Sequence, residues 1–382
     1  MSYIKKITIL GATGSIGVST LEILRQHPKK YQLEAVTAQN NLPKLIEIAK
    51  EFSPSMVAIA NDAHYAELKS ALAGSGIEIA AGESAIIEAA QRPAELVMAA
   101  IVGVAGLRPV LAAIARGATI ALANKESLVS AGELVLRECR KYGAELLPVD
   151  SEHNAIFQVF NENHRPFLEK ITLTASGGPF RGWSAQQLQK VTPEQAVRHP
   201  NWSMGKKISV DSASLMNKGL ELIEACHLFA LKQEQVEVVV HPESIIHSLV
   251  HYADGSVLAQ LGLPDMLTPI SYCLAWPERL ALAKEKMDLI KIAALHFEAV
   301  NNQNFPCLQL ARDAFAQGGG VAAAMNAANE VAVARFLDKE IDFLSIARII
   351  EKTLLHGDFG SADNLEEILE VDARARIIAQ AI

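Results

Sequence analysis

The chain has 382 residues and a net charge of −8; half of it is hydrophobic and a fifth is charged. That length exceeds one ordinary core and predicts two or three domains of a soluble, globular protein. The acidic balance argues against nucleic acid as the main partner, and the longest uncharged apolar run, about Leu96 to Leu107, is too short to cross a bilayer.

The N-terminus runs straight into a strand without the apolar stretch of a signal peptide. Strands are expected at Ile4–Leu10, Gln32–Thr37, Met56–Ile59, Ile77–Ala80, Leu96–Ala99, Thr119–Leu122 and Ala144–Val149, with helices such as Ile16–Arg25 and Leu42–Phe52 between them. Near-continuous apolar strands alternating with helices predict a Rossmann-like, doubly wound α/β domain over residues 1–149. From Asp150 the texture changes. A strand at Lys170–Ala175 precedes a stretch rich in Gly, Pro and Trp, and β-type runs follow at Val236–His241, Ser248–Tyr252 and Val257–Leu261. The last two are joined by Ala253-Asp254-Gly255-Ser256, a hairpin signature, so residues 150–276 read as an α+β domain with a largely antiparallel sheet. A charged linker (277–305) carrying Lys284-Glu285-Lys286 leads to a helical domain (306–382), with helices at Cys307–Ala316, Val321–Leu337, Phe343–Leu355 and Asn364–Ala381. Cys139, Cys226, Cys273 and Cys307 are scattered without a C-x-x-C pair and read as buried thiols in a reducing cytoplasm.

The first strand ends in Gly11-Ala12-Thr13-Gly14-Ser15-Ile16-Gly17, and a helix follows directly. Glycines there let the backbone turn tightly and approach a pyrophosphate resting on the helix N-terminus, so a dinucleotide is expected. The second strand runs Glu34-Ala35-Val36-Thr37 into Ala38-Gln39-Asn40-Asn41, without an acid at its end to accept the ribose hydroxyls. That favours NADPH over NADH.

Asp150 and Glu152 follow the last strand of this domain. Residues i and i+2 of a strand point to one face, so both carboxylates can converge on one point, where like charges require a cation or a shared proton. A third acid, Glu221, closes the polar cluster that begins at Asp211. Three oxygen-only acids suit Mg²⁺ or Mn²⁺ rather than zinc. His241 and His247 flank a short polar segment whose spacing is not helical, and they read as structural histidines.

The motifs GATGSIG, ANKESLV, PVDSEHNAIFQ, SGGPFRG, HPNWSMGKKISVDSASLMNKGLE and GSVLAQLGLPDM occur in that order. Together they resemble the 1-deoxy-D-xylulose 5-phosphate reductoisomerase family, from about residue 4 through the C-terminal helices. The resemblance implies conversion of that sugar phosphate to 2-C-methyl-D-erythritol 4-phosphate by skeletal rearrangement and then hydride transfer. The implied metal ligands are Asp150, Glu152 and Glu221, with Glu152 and Lys125 moving protons. The implied substrate residues are Lys125, Ser151, Glu152, Ser176, His199, Ser212, Asn217, Lys218 and Glu221. For NADPH they are Thr13, Gly14, Ser15, Ile16, Asn41, Asn124, Glu126 and Gly205. Residues 199–205, with Trp202, resemble the family's mobile flap, and a homodimer through the sheet around Val236–Leu261 is implied. One departure is Gln39-Asn40-Asn41, where members carry Gly-Lys-Asn or Asn-Arg-Asn; Lys44 is the substitute cation at hand.

Two other readings compete. A semialdehyde dehydrogenase with a similar glycine loop would need a nucleophilic cysteine beside a histidine. A non-catalytic NADP-binding sensor would have no use for three metal-type acids.

Overall fold

The computed structural model describes residues 3–382, which form two compact units. The first takes in residues up to Asn124, Val135–Asp150 and Met266–Glu285; the second takes in Lys125–Leu134, Ser151–Asp265 and Lys286–Ile382.

In the first unit seven strands, β1 (Lys5–Leu10), β2 (Tyr31–Ala38), β3 (Met56–Ile59), β4 (Glu78–Ala81), β5 (Leu96–Ala99), β6 (Thr119–Leu122) and β7 (Leu146–Pro148), form one sheet. Their order is β4-β3-β2-β1-β5-β6-β7, and every pairing is parallel. β3 and β5 are buried along their whole length, as helices on both faces of a parallel sheet require. The chain winds outward from β1 to β4 and then returns to place β5 beside β1. That reversal opens a crevice at the carboxyl end of β1, where ligands of such sheets bind.

The strand expected to carry both acids ends earlier. β7 stops at Pro148, and a helix, Ser151–Val159, starts one residue after Asp150. Glu152 therefore occupies a first helical turn, where a carboxylate meets the positive end of the helix dipole, and the two acids do not share a strand face.

The second unit holds β8 (Leu168–Ala175), β9 (Val236–Val240), β10 (Ile246–Tyr252) and β11 (Val257–Leu261) in the order β11-β10-β8-β9. β10 is antiparallel to both neighbours, while β8 and β9 run parallel. The β10–β11 turn forms as its sequence predicts. Gly255 adopts φ +84°, and Asp254 Oδ1 accepts from Ser256 N (2.9 Å) and Oγ (2.6 Å). Four C-terminal helices, Cys307–Gln317, Val321–Leu337, Phe343–His356 and Leu365–Ala381, share one apolar core with β8, β9, β10 and the helix Met216–Leu228. Packing there is close: a Cβ at Gly219 would come within 2.5 Å of the Ala311 methyl.

Two histidines of this unit are withdrawn from solvent, His247 buried and His227 half-buried. The His227 ring lies edge-on to Phe315, and His247 sits in β10. Burial lowers each pKa from 6.5 to about 4. Between these values the unfolded chain binds protons that the folded chain refuses, so stability rises with pH across that window and is lost as pH falls through it. The melting temperature is expected to fall steadily from pH 7 to pH 5, and His227→Gln should flatten the slope. An unchanged slope in that variant would show that His227 does not titrate on unfolding.

Candidate active site

The loop after β1 is shaped by two of its glycines. Gly11 adopts φ +85°, and a Cβ there would lie 2.8 Å from the Ala100 carbonyl oxygen; at Gly17 it would lie 2.5 Å from the Gly11 oxygen. Gly14 and Ser15 are exposed, and the helix Ser15–Gln26 begins with neither a side-chain cap nor an acid in its first turn. Its leading N–H groups are thus suited to an anion. Thr13 and Ile16 flank them, half-buried. Thr37, at the end of β2, accepts the Gly11 N–H (2.9 Å) and fixes the loop, a role its sequence position did not reveal.

Beyond β2, Asn41 is exposed and caps the helix Leu42–Phe52 by accepting from Lys44 N (3.3 Å). Glu34 is buried and used elsewhere, against Lys6 Nζ (3.0 Å) and Ser55 Oγ (3.3 Å). Lys44 extends to Glu47 (2.9 Å). Asn124 is buried and donates to the Gly103 carbonyl (2.9 Å), tying the loops after β5 and β6 together.

In the second unit, one helix supplies half of a charged cluster. Asn217, Lys218 and Glu221 lie on Met216–Leu228 at spacings that bring their side chains together. Glu221 is 1% exposed. Lys125 Nζ donates to Glu221 Oε1 (3.0 Å) and Asn217 Oδ1 (3.0 Å), and the Asn217 amide also reaches Glu221. Lys218 Nζ donates to Glu152 Oε1 (2.9 Å) and to Glu221 Oε2, while Ser151 Oγ donates to Glu152 Oε2 (2.6 Å). Asp150 is joined to Ser151 by a single peptide bond, and Glu152 and Glu221 share the Lys218 ammonium. Such a set of hard oxygen donors fits a divalent cation.

Behind it, His153 Nε2 meets the Glu221 carbonyl (2.8 Å) and Nδ1 lies 3.3 Å from Glu224. Together these contacts fix the His153 ring between the helices Ser151–Val159 and Met216–Leu228. Helical i, i+3 spacing of Glu221 and Glu224 was the available signal.

Ser212 and Ser176 are brought together by glycine as well. Gly178, at φ +65°, packs so closely that a Cβ would lie 2.9 Å from the Ser212 carbonyl oxygen. Leu215, in the left-handed region (φ 62°, ψ 10°), then breaks the chain direction between the helices carrying Ser212 and Asn217. A non-glycine residue held there costs about 1 kcal/mol or more, a feature frequent at functional sites.

His199 Nδ1 accepts from the backbone N–H groups of Asn201 (3.1 Å) and Trp202 (3.0 Å). Its Nε2 therefore carries the proton and donates to Ser176 Oγ (2.7 Å). Burial lowers the His199 pKa to about 4, so the ring is a neutral donor. Asn201 Nδ2 holds the segment against the Pro242 carbonyl (2.6 Å) and Ser244 Oγ (3.1 Å), and Trp202 packs edge-on to His247. Gly205 precedes the helix Lys206–Ser214, and Lys207 from that helix pairs with Glu126 (2.8 Å). Burial alone would raise the Glu126 pKa, but the Lys207 ammonium outweighs it and holds the carboxyl below its usual range.

The competing chemistries find less here. All four cysteines are buried, and burial pushes Cys139 up to about 11 and Cys226 and Cys307 up to about 12. Cys273 donates to the Pro148 carbonyl (3.2 Å). A raised pKa is the reverse of what a nucleophilic thiol needs. His241 is engaged by backbone, with Nδ1 at the His296 carbonyl (2.8 Å) and Nε2 accepting from Ile245 N (3.1 Å), as a structural histidine would be. No helix among the described residues is long and apolar enough to cross a membrane.

Comparison with known proteins finds matches along the chain. Residues 7–132 match the profile described as 1-deoxy-D-xylulose 5-phosphate reductoisomerase, 146–229 match its C-terminal domain, and 261–378 match the DXP reductoisomerase C-terminal domain. The reductoisomerase of Rhodospirillum centenum is 54% identical over 98% of this chain and 94% of its own length. That of Zymomonas mobilis is 53% identical over 100% and 98%. The structure of the Zymomonas mobilis enzyme in complex with NADPH superposes with a TM-score of 0.94 at 51% identity, covering 100% of this chain and 99% of the other. A DOX-P reductoisomerase in complex with NADPH, fosmidomycin and magnesium gives 0.94 at 47% identity, over 99% and 98%. Matched along its length by profiles, relatives and solved structures alike, the chain belongs to the 1-deoxy-D-xylulose 5-phosphate reductoisomerase family.

Proposed function

We propose that this chain converts 1-deoxy-D-xylulose 5-phosphate to 2-C-methyl-D-erythritol 4-phosphate, using NADPH and Mg²⁺ or Mn²⁺. The observation that carries the reading is the cluster in which Lys125, Asn217 and Lys218 converge on Glu152 and Glu221. Residues 1–149 serve the cofactor, 150–276 the metal and substrate, and 306–382 complete the core behind them.

Asp150, Glu152 and Glu221 would hold the cation, which supplies Lewis acidity at the ketone and its neighbouring hydroxyl. Glu152 is the less enclosed carboxylate, 16% against 1% for Glu221, and takes and returns the proton of a substrate hydroxyl. Lys125 assists at the same oxygens. Ser176, Ser212, Asn217 and Lys218 offer hydroxyl, amide and ammonium donors to the phosphate, whose binding far from the reacting carbons holds them in place. His199 orients Ser176, and Ser151 orients Glu152. Trp202 covers the substrate and excludes water. Thr13, Gly14, Ser15 and Ile16 would cradle the pyrophosphate, with Asn41, Asn124, Glu126 and Gly205 completing the NADPH set; the cofactor supplies the hydride.

NADPH absorbance at 340 nm should fall when the sugar phosphate is added with Mg²⁺ or Mn²⁺, and EDTA should stop it. Asp150→Asn and Glu221→Gln are expected to lower kcat/KM by about a hundredfold or more with circular dichroism unchanged. Near-normal turnover in either variant removes that residue from the metal site. Folded protein that binds NADPH yet consumes none would reject the substrate assignment.

The preference for NADPH rests on β2 ending without an acid. The kcat/KM ratio of NADPH to NADH should exceed about tenfold. Parity would overturn it.

We further propose a homodimer, in the cytoplasm, formed through the sheet at Val236–Leu261. Val257 and Leu258 on β11 are 47% and 46% exposed, which leaves apolar surface on that strand for a partner. Sedimentation should give twice the 41.2 kDa of one chain. A monomer at micromolar concentration would reject this.

A further inference from the structure

Lys207 is the second residue of the helix that follows the flap, and the chemistry above makes no use of it. Its Nζ lies 2.8 Å from Glu126 Oε1 and 2.8 Å from Asp211 Oδ2. Both acids are buried, at 6% and 1% exposure. Asn329, fully buried in the helix Val321–Leu337, donates to the other Asp211 oxygen (2.8 Å). The helix start is pinned as well, because Ser209 donates to the Gly205 carbonyl through both Oγ (2.9 Å) and N (3.1 Å). The ammonium ion thus joins the first turn of Lys125–Tyr142 to the helix that follows the flap, and Asp211 carries the link on to a C-terminal helix.

A buried ion cluster is weak support for stability, since apolar residues of the same volume serve as well. What it supplies is fixed geometry. Two charge-assisted hydrogen bonds from one ammonium set the separation of Glu126 from the backbone that begins at Gly205. We propose that Lys207 is a positioning residue for NADPH, holding Glu126 and Gly205 as one rigid pair so that cofactor binding and the flap's trailing end are coupled. The inference rests on the cofactor reading given above. Lys207 itself touches neither cofactor nor substrate; it acts through the two residues it fixes.

The test is NADPH affinity of the full chain, read by nicotinamide fluorescence without metal or sugar phosphate. Lys207→Met should raise Kd about tenfold, and kcat at saturating NADPH should stay within about threefold of wild type. Lys207→Arg, which keeps the charge, should recover most of the affinity. A purely structural role would lower the melting temperature and leave Kd where it was. Folded Lys207→Met protein with wild-type Kd therefore overturns the proposal. Should that variant fail to fold, hydrogen exchange on the wild-type protein decides. NADPH must then slow exchange both at residues 125–130 and at 206–210, and slowing at one segment alone, or at neither, overturns it. Wild-type protein that does not bind NADPH would sink the cofactor reading and this inference together, whereas intact binding without turnover would spare the role of Lys207.

Discussion

A carboxylate with 1% of its surface exposed cannot stand alone, and the need to compensate Glu221 accounts for much of the second unit. Removing a buried charge from water costs several kcal/mol unless cations and hydrogen bonds replace the solvent. Lys125 and Lys218 each give Glu221 an ammonium, Asn217 gives it an amide, and His153 holds the carbonyl of the same residue. These partners come from three helices, so the helices must meet at fixed distances. Removing one partner would leave charge uncompensated at a cost of about 3–5 kcal/mol. Such a cluster is costly to form and correspondingly sharp in geometry.

That sharpness depends on apolar packing from the opposite side. The helix Met216–Leu228 is buried along most of its length, with Cys307–Gln317 against it and Gly219 permitting near-contact with Ala311. Val321–Leu337 is apolar nearly all round and fills the centre of the same core. Through Asn329 it also reaches Asp211 and hence Lys207. The C-terminal helices therefore hold polar residues in register, although they contribute none to the predicted site.

What the sequence revealed and what it hid follow from the range of the interactions. The seven parallel strands, the Asp-Gly hairpin and the C-terminal helices were legible because each is dictated by local periodicity or turn chemistry. The glycine loop was legible too, since Gly11 and Gly17 are required where a Cβ has no room. The placement of Asp150 and Glu152 on one strand face was not correct. Period-two reasoning does not extend past Pro148, and the run Asp150-Ser151-Glu152 carries the polar signature of a helix start. Long-range partners were hidden for a different reason. Nothing in the local pattern couples Lys207 to Glu126, His153 to Glu224 or Thr37 to Gly11, because those pairs exist only once separate elements are packed.

The charge arrangement also bears on how a doubly charged substrate group can be held without a cluster of arginines. Lys125 is committed to Glu221 and Asn217, and Lys218 is shared between Glu152 and Glu221, so the site has little cationic charge to spare. His199 adds none. Two flap N–H groups occupy its Nδ1 and keep the ring neutral, with its remaining proton directed to Ser176. Ser176 Oγ accepts from His199 and from Gly178 N (3.1 Å), which leaves its own hydrogen to be donated. Donors of this kind favour a fully deprotonated oxygen over one carrying a proton, because they offer no acceptor in return. Oriented neutral donors such as Ser176 therefore supplement the Lys218 ammonium proposed for the phosphate, and the orientation of Ser176 is set by the flap's backbone through His199.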